Sequence, residues 1–175
     1  MCGEHGDAQV PLWSNAQLLG LDPADARQRL ARLRGARRLM DFPAEIARYK
    51  PQVFELLAAE RIRDAFDTIE ALPPDLRVVL EPFVTAHCLH STANATANAT
   101  CDVIRALRRG RESVVGVQVR LAGECLDLQT SIGVPVLVNA AAWSQVVCPP
   151  LADDEAQQLR AAAATITANL AQWQR

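Results

Sequence analysis

Apolar residues recur at helical spacing through most of the first two thirds of the chain, and prolines interrupt this pattern. Asp22 before Pro23 predicts a helix start, because aspartate caps helices and proline fits the first helical position. This helix is expected to run to about Leu39. Residues 53–72 form a second helical window, which Pro73 and Pro74 end. The remaining predictions here are an interruption or kink at Pro51 and helices over residues 75–89 and 91–109.

After residue 113 the pattern changes to alternation with a period of two, which is typical of strands. Strands are predicted over residues 115–121, 134–138 and 146–147, with Leu126 and Leu128 continuing the first ladder. Short turns favour antiparallel hairpins. Asp153 begins a last helix, and one stripe on it is expected to be packed: Leu159, Ala163, Ile166, Leu170 and Trp173. Helices, then an antiparallel sheet, then a helix predict an α+β fold.

Composition and charge exclude several classes of protein. The formal net charge of the 175 residues is −2, which favours neither nucleic acid nor a membrane surface as a partner. No apolar run approaches the ~20 residues that span a bilayer. The five cysteines are scattered, with no Cys-x-x-Cys spacing. Reduced thiols and a cytoplasmic location are therefore expected.

His5 is the candidate for chemistry, because glycines and carboxylates surround it in the run Gly-Glu-His-Gly-Asp. Glycines allow a close approach of the backbone, and nearby carboxylates favour the protonated imidazole. Such a histidine can accept and return one proton near neutral pH. From these residues alone, an ordinary surface histidine is the more common interpretation.

The whole segment 3–14, Gly-Glu-His-Gly-Asp-Ala-Gln-Val-Pro-Leu-Trp-Ser, resembles the active-site histidine segment of NAD-dependent L-lactate and malate dehydrogenases. Ala8 stands where that family usually has serine. Four later segments resemble the C-terminal half of the family in order and spacing: residues 101–107, 114–121, 133–138 and 151–159. The resemblance implies one substrate-binding domain over residues 1–175, with a C-terminal-domain-like α+β fold and an atypical helical insertion at 22–87.

The resemblance implies that His5 is the acid/base that exchanges a proton with a 2-hydroxy or 2-oxo acid, lactate or malate. It also places Thr92 near a substrate-pocket residue, although Thr92 is equally explained as a helix cap. The sequence has no Gly-x-Gly-x-x-Gly fingerprint. NAD is therefore expected to be bound mainly by a domain absent from this chain, and the isolated chain is expected to be inactive. A nucleotide-binding domain or a second copy of the chain is the expected protein partner.

Three alternatives remain open at this point. The run His87-Cys88-Leu89-His90 has a spacing that could bind a metal, but a helix end is favoured and no metal is expected. The arginines between residues 27 and 38 could bind phosphate or nucleic acid, but a solvated or intersubunit helix face is favoured. Finally, the chain could be a non-catalytic dehydrogenase remnant that acts as an assembly or partner-binding module.

Overall fold

The computed structural model describes residues 1–4, 8–88 and 92–173, and the chain forms two compact units. One unit comprises Met1–Asn15 and Ala97–Arg175, and the other comprises Ala16–Thr96. The described elements are helices and an antiparallel sheet, so the predicted α+β fold is confirmed. Of the helices in the described part of the chain, none is long and apolar enough to cross a membrane.

The described part of the first unit contains an antiparallel sheet of five strands. They are β1 (Cys2–Gly3), β2 (Gln9–Val10), β3 (Ser113–Arg120), β4 (Ser131–Asn139) and β5 (Ala142–Val146). The strand order is β2-β1-β4-β3, and β5 also pairs with β4. Alternate residues of β4 are buried, from Ile132 to Val138, and they lie opposite the half-buried positions of β3. The period-two pattern therefore identified the apolar face of this hairpin correctly.

The last helix, α6 (Asp153–Trp173), packs on β1, β2 and β4. Leu159, Ala163 and Ile166 are buried, as the predicted stripe requires. Leu170 and Trp173, however, are 49% and 89% exposed. The prediction of a fully packed stripe is therefore wrong in the last two turns, because helical spacing defines an apolar face without defining how far its partner extends.

The second unit is helical, and α5 joins it to the sheet unit along the chain. Its described helices are α1 (Pro23–Arg34), α2 (Phe42–Ala58), α3 (Ile62–Glu70) and α4 (Pro74–His87). α5 (Thr92–Arg109) begins in this unit and continues into the first, since the boundary along the chain lies between Thr96 and Ala97. Asp22 caps α1 as predicted: its carboxylate accepts the backbone N–H groups of Asp25 and Ala24, which lower the pKa of Asp22. The helix ends before Leu39 because Gly35 takes a left-handed φ of 61°.

Two other helix boundaries differ from the prediction. The window 53–72 divides into two helices, since Glu60 has a left-handed φ of 55° and reverses the chain between α2 and α3. Pro51 lies within α2 without ending it, so of the predicted interruption or kink the interruption is wrong, and the kink stays a prediction. Tertiary packing compensates for this proline, because Ile46, Val53 and Leu57 are buried on both sides of it.

Cys125 and Cys148 form a disulfide, so the expectation that all five thiols are reduced is wrong. Their Cα atoms are 5.3 Å apart although 23 positions separate them in sequence. The turn after β3 brings them together: Leu126 and Asp127 adopt positive φ there. Leu126 and Leu128 consequently do not continue the ladder, and scattered cysteine spacing could not reveal this pairing.

Candidate functional site

The segment that carries His5 connects β1 to β2. His5 itself lies outside the described residues, but both of its flanks are described. Cys2 pairs with Val10 and Gly3 with Gln9 in antiparallel register. The Glu4 amide then donates a hydrogen bond to the Ala8 carbonyl at 3.1 Å. His5 therefore lies, in sequence, between the two arms of a β1–β2 hairpin, and these arms are hydrogen-bonded to each other.

Two glycines allow this hairpin to lie against the sheet. Gly3 has φ 91°, and a Cβ atom there would lie 2.3 Å from the Ala8 carbonyl oxygen. Gly133 of β4 faces Gly3 across the strand pair, and its Cβ would lie 2.8 Å from the Gly3 carbonyl oxygen. No side chain fits either position without displacing backbone. Sequence reasoning used Gly133 only as part of a segment match and did not identify this role.

A buried carboxylate holds the returning arm of the hairpin. Glu155, in the first turn of α6, has no exposed surface. It accepts the Ser14 amide at 2.8 Å, the Ser14 hydroxyl, and the Ala152 amide at 3.1 Å. The Asn15 side chain adds a bond of 2.9 Å to the Pro150 carbonyl. In the sequence, residues 153–155 indicate only an acidic helix start. The contact of Glu155 with the hairpin was missed, since its partner Ser14 is 141 positions away.

The thiol nearest to His5 in sequence is not poised to react. Cys2 is buried in β1. Burial raises the pKa of the Cys2 thiol; the charge of the N-terminal amine opposes this increase, and Glu155 adds to it. A neutral buried thiol is a weak nucleophile. Cys2 is therefore not a candidate for proton chemistry at this hairpin.

Two cavities border the hairpin within the sheet unit. One, of about 250 Å³, is lined by residues 1–4, Gln9, and the facing parts of β3 and β4. The other, of about 350 Å³, is lined by Glu4, Gln118, Ile166, Asn169, Leu170 and Trp173. Among the described residues, neither lining includes an arginine or a lysine. Both volumes lie near the lower end for small-molecule sites, and a bound carboxylate would need a counter-charge from elsewhere.

The other candidate residues are not brought to this hairpin by any described contact. Thr92 is the first residue of α5, and its side chain lies outside the described part, so both its pocket role and its capping role stay predictions. His87 ends α4, whereas His90 lies outside the described residues. Within residues 1–4, 8–88 and 92–173, no three His, Cys, Asp or Glu side chains cluster as metal ligands would.

Most of the arginines between residues 27 and 38 fall into an ion-paired group and an exposed group. Arg37 bonds to Glu45 and Asp75, and Arg38 bonds to Asp41, so these two arginines take part in ion pairs within the chain. Arg27, Arg29 and Arg32 lie on exposed positions of α1. The favoured interpretation of a solvated helix face therefore fits the exposed group, while Arg37 has a structural role that the sequence did not indicate.

Comparison with known proteins identifies similar sequences and folds. The model of a family described as lactate/malate dehydrogenase, alpha/beta C-terminal domain, matches residues 60–175. The L-lactate dehydrogenase of Bacillus licheniformis is 24% identical over 171 residues, which are 96% of this chain and 42% of that protein. L-lactate dehydrogenase 1 of Enterococcus faecalis is 25% identical over 167 residues, which are 94% of this chain and 40% of that protein.

Solved structures show the same fold. Malate dehydrogenase from Salinibacter ruber has a TM-score of 0.57 at 19% identity, covering 99% of this chain and 45% of that one. Malate dehydrogenase from Cryptosporidium parvum has a TM-score of 0.58 at 21% identity, covering 98% and 44%. The chain thus spans roughly two fifths of the length of the curated relatives that it matches.

Proposed function

The chain belongs to the lactate/malate dehydrogenase family, as its alpha/beta C-terminal domain, and on that premise we propose that it is the substrate-binding half of a 2-hydroxy acid dehydrogenase. In this proposal His5 is the acid/base. The observation that carries it is the segment 3–14, which resembles the family's active-site histidine segment except at Ala8. The flanks of this segment are fixed by the β1–β2 pairing and by Glu155.

His5 accepts the hydroxyl proton of the 2-hydroxy acid when that acid is oxidised, and it returns the proton when the 2-oxo acid is reduced. Lactate and malate are the proposed substrates. The substrate carboxylate needs a cation, and the described residues that line the cavities beside the hairpin include no lysine or arginine. We therefore place the carboxylate-binding arginine in a part of the enzyme outside residues 1–175.

NAD is the proposed hydride acceptor, but the described residues do not fit it. A dinucleotide site needs a glycine-rich turn between a strand and a helix of a parallel βαβ unit. The described strand pairs are all antiparallel, and the sequence contains no Gly-x-Gly-x-x-Gly. We propose that NAD is bound mainly by a nucleotide-binding domain outside this chain, and that the chain alone gives no turnover.

A protein partner is also part of the proposal. The described side chains of α5 include none that is buried, and Ile104 on this helix is 55% exposed. An 18-residue helix with an apolar face is stabilised mainly by packing. We propose that a nucleotide-binding domain or a second copy of the chain covers it. Sedimentation at micromolar concentration tests self-association: a stable monomer would leave only the nucleotide-binding domain as the partner.

Reconstitution tests the catalytic role of His5. The chain is co-expressed with the nucleotide-binding half of a family dehydrogenase, and NADH formation is followed with lactate and with malate. His5→Asn is expected to lower kcat at least ~100-fold, the usual scale for general acid/base catalysis. His87→Asn, at the exposed end of α4, is the matched control and is expected to leave kcat unchanged.

Two results would contradict the proposal. Wild-type kcat in the His5→Asn variant would mean that another group carries the proton. An assembled but inactive wild-type complex would favour the non-catalytic remnant that acts as an assembly or partner-binding module. The cytoplasmic location expected from the sequence stays a prediction, and the Cys125–Cys148 disulfide gives a reason to test it, since the cytosol keeps most thiols reduced.

A further inference from the structure

We propose that Glu155, acting through Ser14, is a positioning residue that fixes the hairpin carrying His5, and this inference rests on the proposed function. The hairpin needs such an anchor because its strands are only two residues each. A two-stranded pair of this length is marginal in water. Within the described sheet, β1 pairs with β4 on one side, whereas β2 pairs only with β1.

The returning arm is held instead by α6. Val10 of β2 is completely buried, and α6 packs on both β1 and β2. Beyond Val10, the chain reaches the short 3-10 helix Trp13–Asn15, where the Ser14 amide and hydroxyl both donate to the Glu155 carboxylate. One carboxylate thus receives two donors from the arm that follows His5 and a third, the Ala152 amide, from its own helix start.

The burial of Glu155 indicates that this contact is more than helix capping. A glutamate in the first turn can accept the amide of the residue that precedes its helix while remaining in water. Glu155 instead has no exposed surface. Burying a carboxylate is costly unless hydrogen bonds compensate for the lost water. The Ser14 donors supply that compensation, so the position of the arm and the burial of the charge depend on each other.

The arm that reaches Ser14 follows His5 closely along the chain. Glu4 and Ala8 stand on either side of residues 5–7 in the sequence, and the Glu4 amide donates a hydrogen bond to the Ala8 carbonyl at 3.1 Å. If the arm is released at Ser14, the pairing of β2 with β1 loses its support from α6, and the Glu4–Ala8 bond opens more often. A displacement of about 1 Å in a catalytic group can cost roughly 100-fold in rate.

Hydrogen exchange of the isolated chain tests the anchor without any catalytic assay. Ser14→Ala removes the hydroxyl and keeps the backbone donor, and Glu155→Gln removes the charge. Each is expected to speed exchange of the Glu4 amide about tenfold, while amides of β3 and β4 keep their wild-type rates. Glu124→Gln is the control, since the exposed Glu124 carboxylate also accepts a backbone amide, that of Ala122, at 2.5 Å.

A conservative variant separates positioning from general stability. Ser14 is exposed and threonine keeps the hydroxyl, so Ser14→Thr is expected to keep the slow exchange of the wild type. In the reconstituted enzyme, Ser14→Ala is expected to lower kcat about tenfold with KM within twofold of wild type. Unchanged Glu4 exchange, or equal acceleration across β3 and β4, would overturn the inference. A catalytically normal His5→Asn would overturn the proposed function alone, because the exchange measurement does not depend on it.

Discussion

Arg37 joins the segment after α1 to two helices of the second unit. Its guanidinium makes a two-point contact with Glu45 of α2, at 3.0 and 2.5 Å, and a third bond to Asp75 of α4, at 2.7 Å. Asp75 is the most deeply buried member, with 5% of its side chain exposed, while Arg37 and Glu45 are 22% and 27% exposed. Replacing Arg37 with methionine keeps most of the apolar stem and removes the guanidinium together with all three hydrogen bonds.

The expected loss follows from this partial burial. Removing one partner of a fully buried ion pair costs about 3–5 kcal/mol, because a buried charge loses its compensation. An exposed ion pair is worth about 0–1 kcal/mol. Asp75 is close to the first limit, and Glu45 is nearer the second. Asp75 also accepts the Leu76 amide at 3.0 Å, which retains part of its stabilisation. We therefore expect Arg37→Met to lower the free energy of unfolding by about 2–3 kcal/mol.

Urea unfolding followed by circular dichroism at 222 nm measures this loss, since the second unit is helical. Arg38→Met is the matched control at the next position. Arg38 pairs with Asp41 on the surface, with side chains 79% and 46% exposed, and little change is expected. Arg37→Lys should fall between the two, because an ammonium lacks the planar fork that holds two carboxylates. Equal free energies of unfolding for Arg37→Met and Arg38→Met would refute the reasoning. A lower free energy of unfolding for Arg37→Lys than for Arg37→Met would also refute it.

Two further outcomes concern the sheet unit. Cys125→Ser should lower the free energy of unfolding by about 3 kcal/mol, because it opens a loop whose ends are 23 positions apart. Counting thiols in the unfolded, unreduced wild-type protein should find the three free cysteines. A count of five would contradict the Cys125–Cys148 bond. Gly133→Ala should cost about 1–3 kcal/mol, because its Cβ would meet the Gly3 carbonyl oxygen, whereas Gly116→Ala on the neighbouring strand meets no atom within 4 Å and should change little. Equal effects of the two alanine substitutions in thermal unfolding would contradict the close approach.

Local information was sufficient for much of the fold and for the candidate histidine. The Asp22 cap depends on bonds to residues two and three positions away, and Gly110, which follows the last residue of α5, has a positive φ of 63°. The β3–β4 hairpin follows from alternation over adjacent segments. The segment 3–14 likewise contains, in consecutive residues, the whole pattern that singles out His5. In each case the determining groups are neighbours along the chain.

Tertiary structure decided how these elements are held. The contact of Gly3 with Gly133, the anchoring of Ser14 by Glu155 and the Cys125–Cys148 disulfide each join distant parts of the chain. Hydrophobic periodicity determines which face of an element avoids water, but not which surface covers that face or where the cover ends. For this reason the sequence by itself determined which residue is the candidate acid/base, and only the folded chain decided which carboxylate fixes the hairpin that carries it.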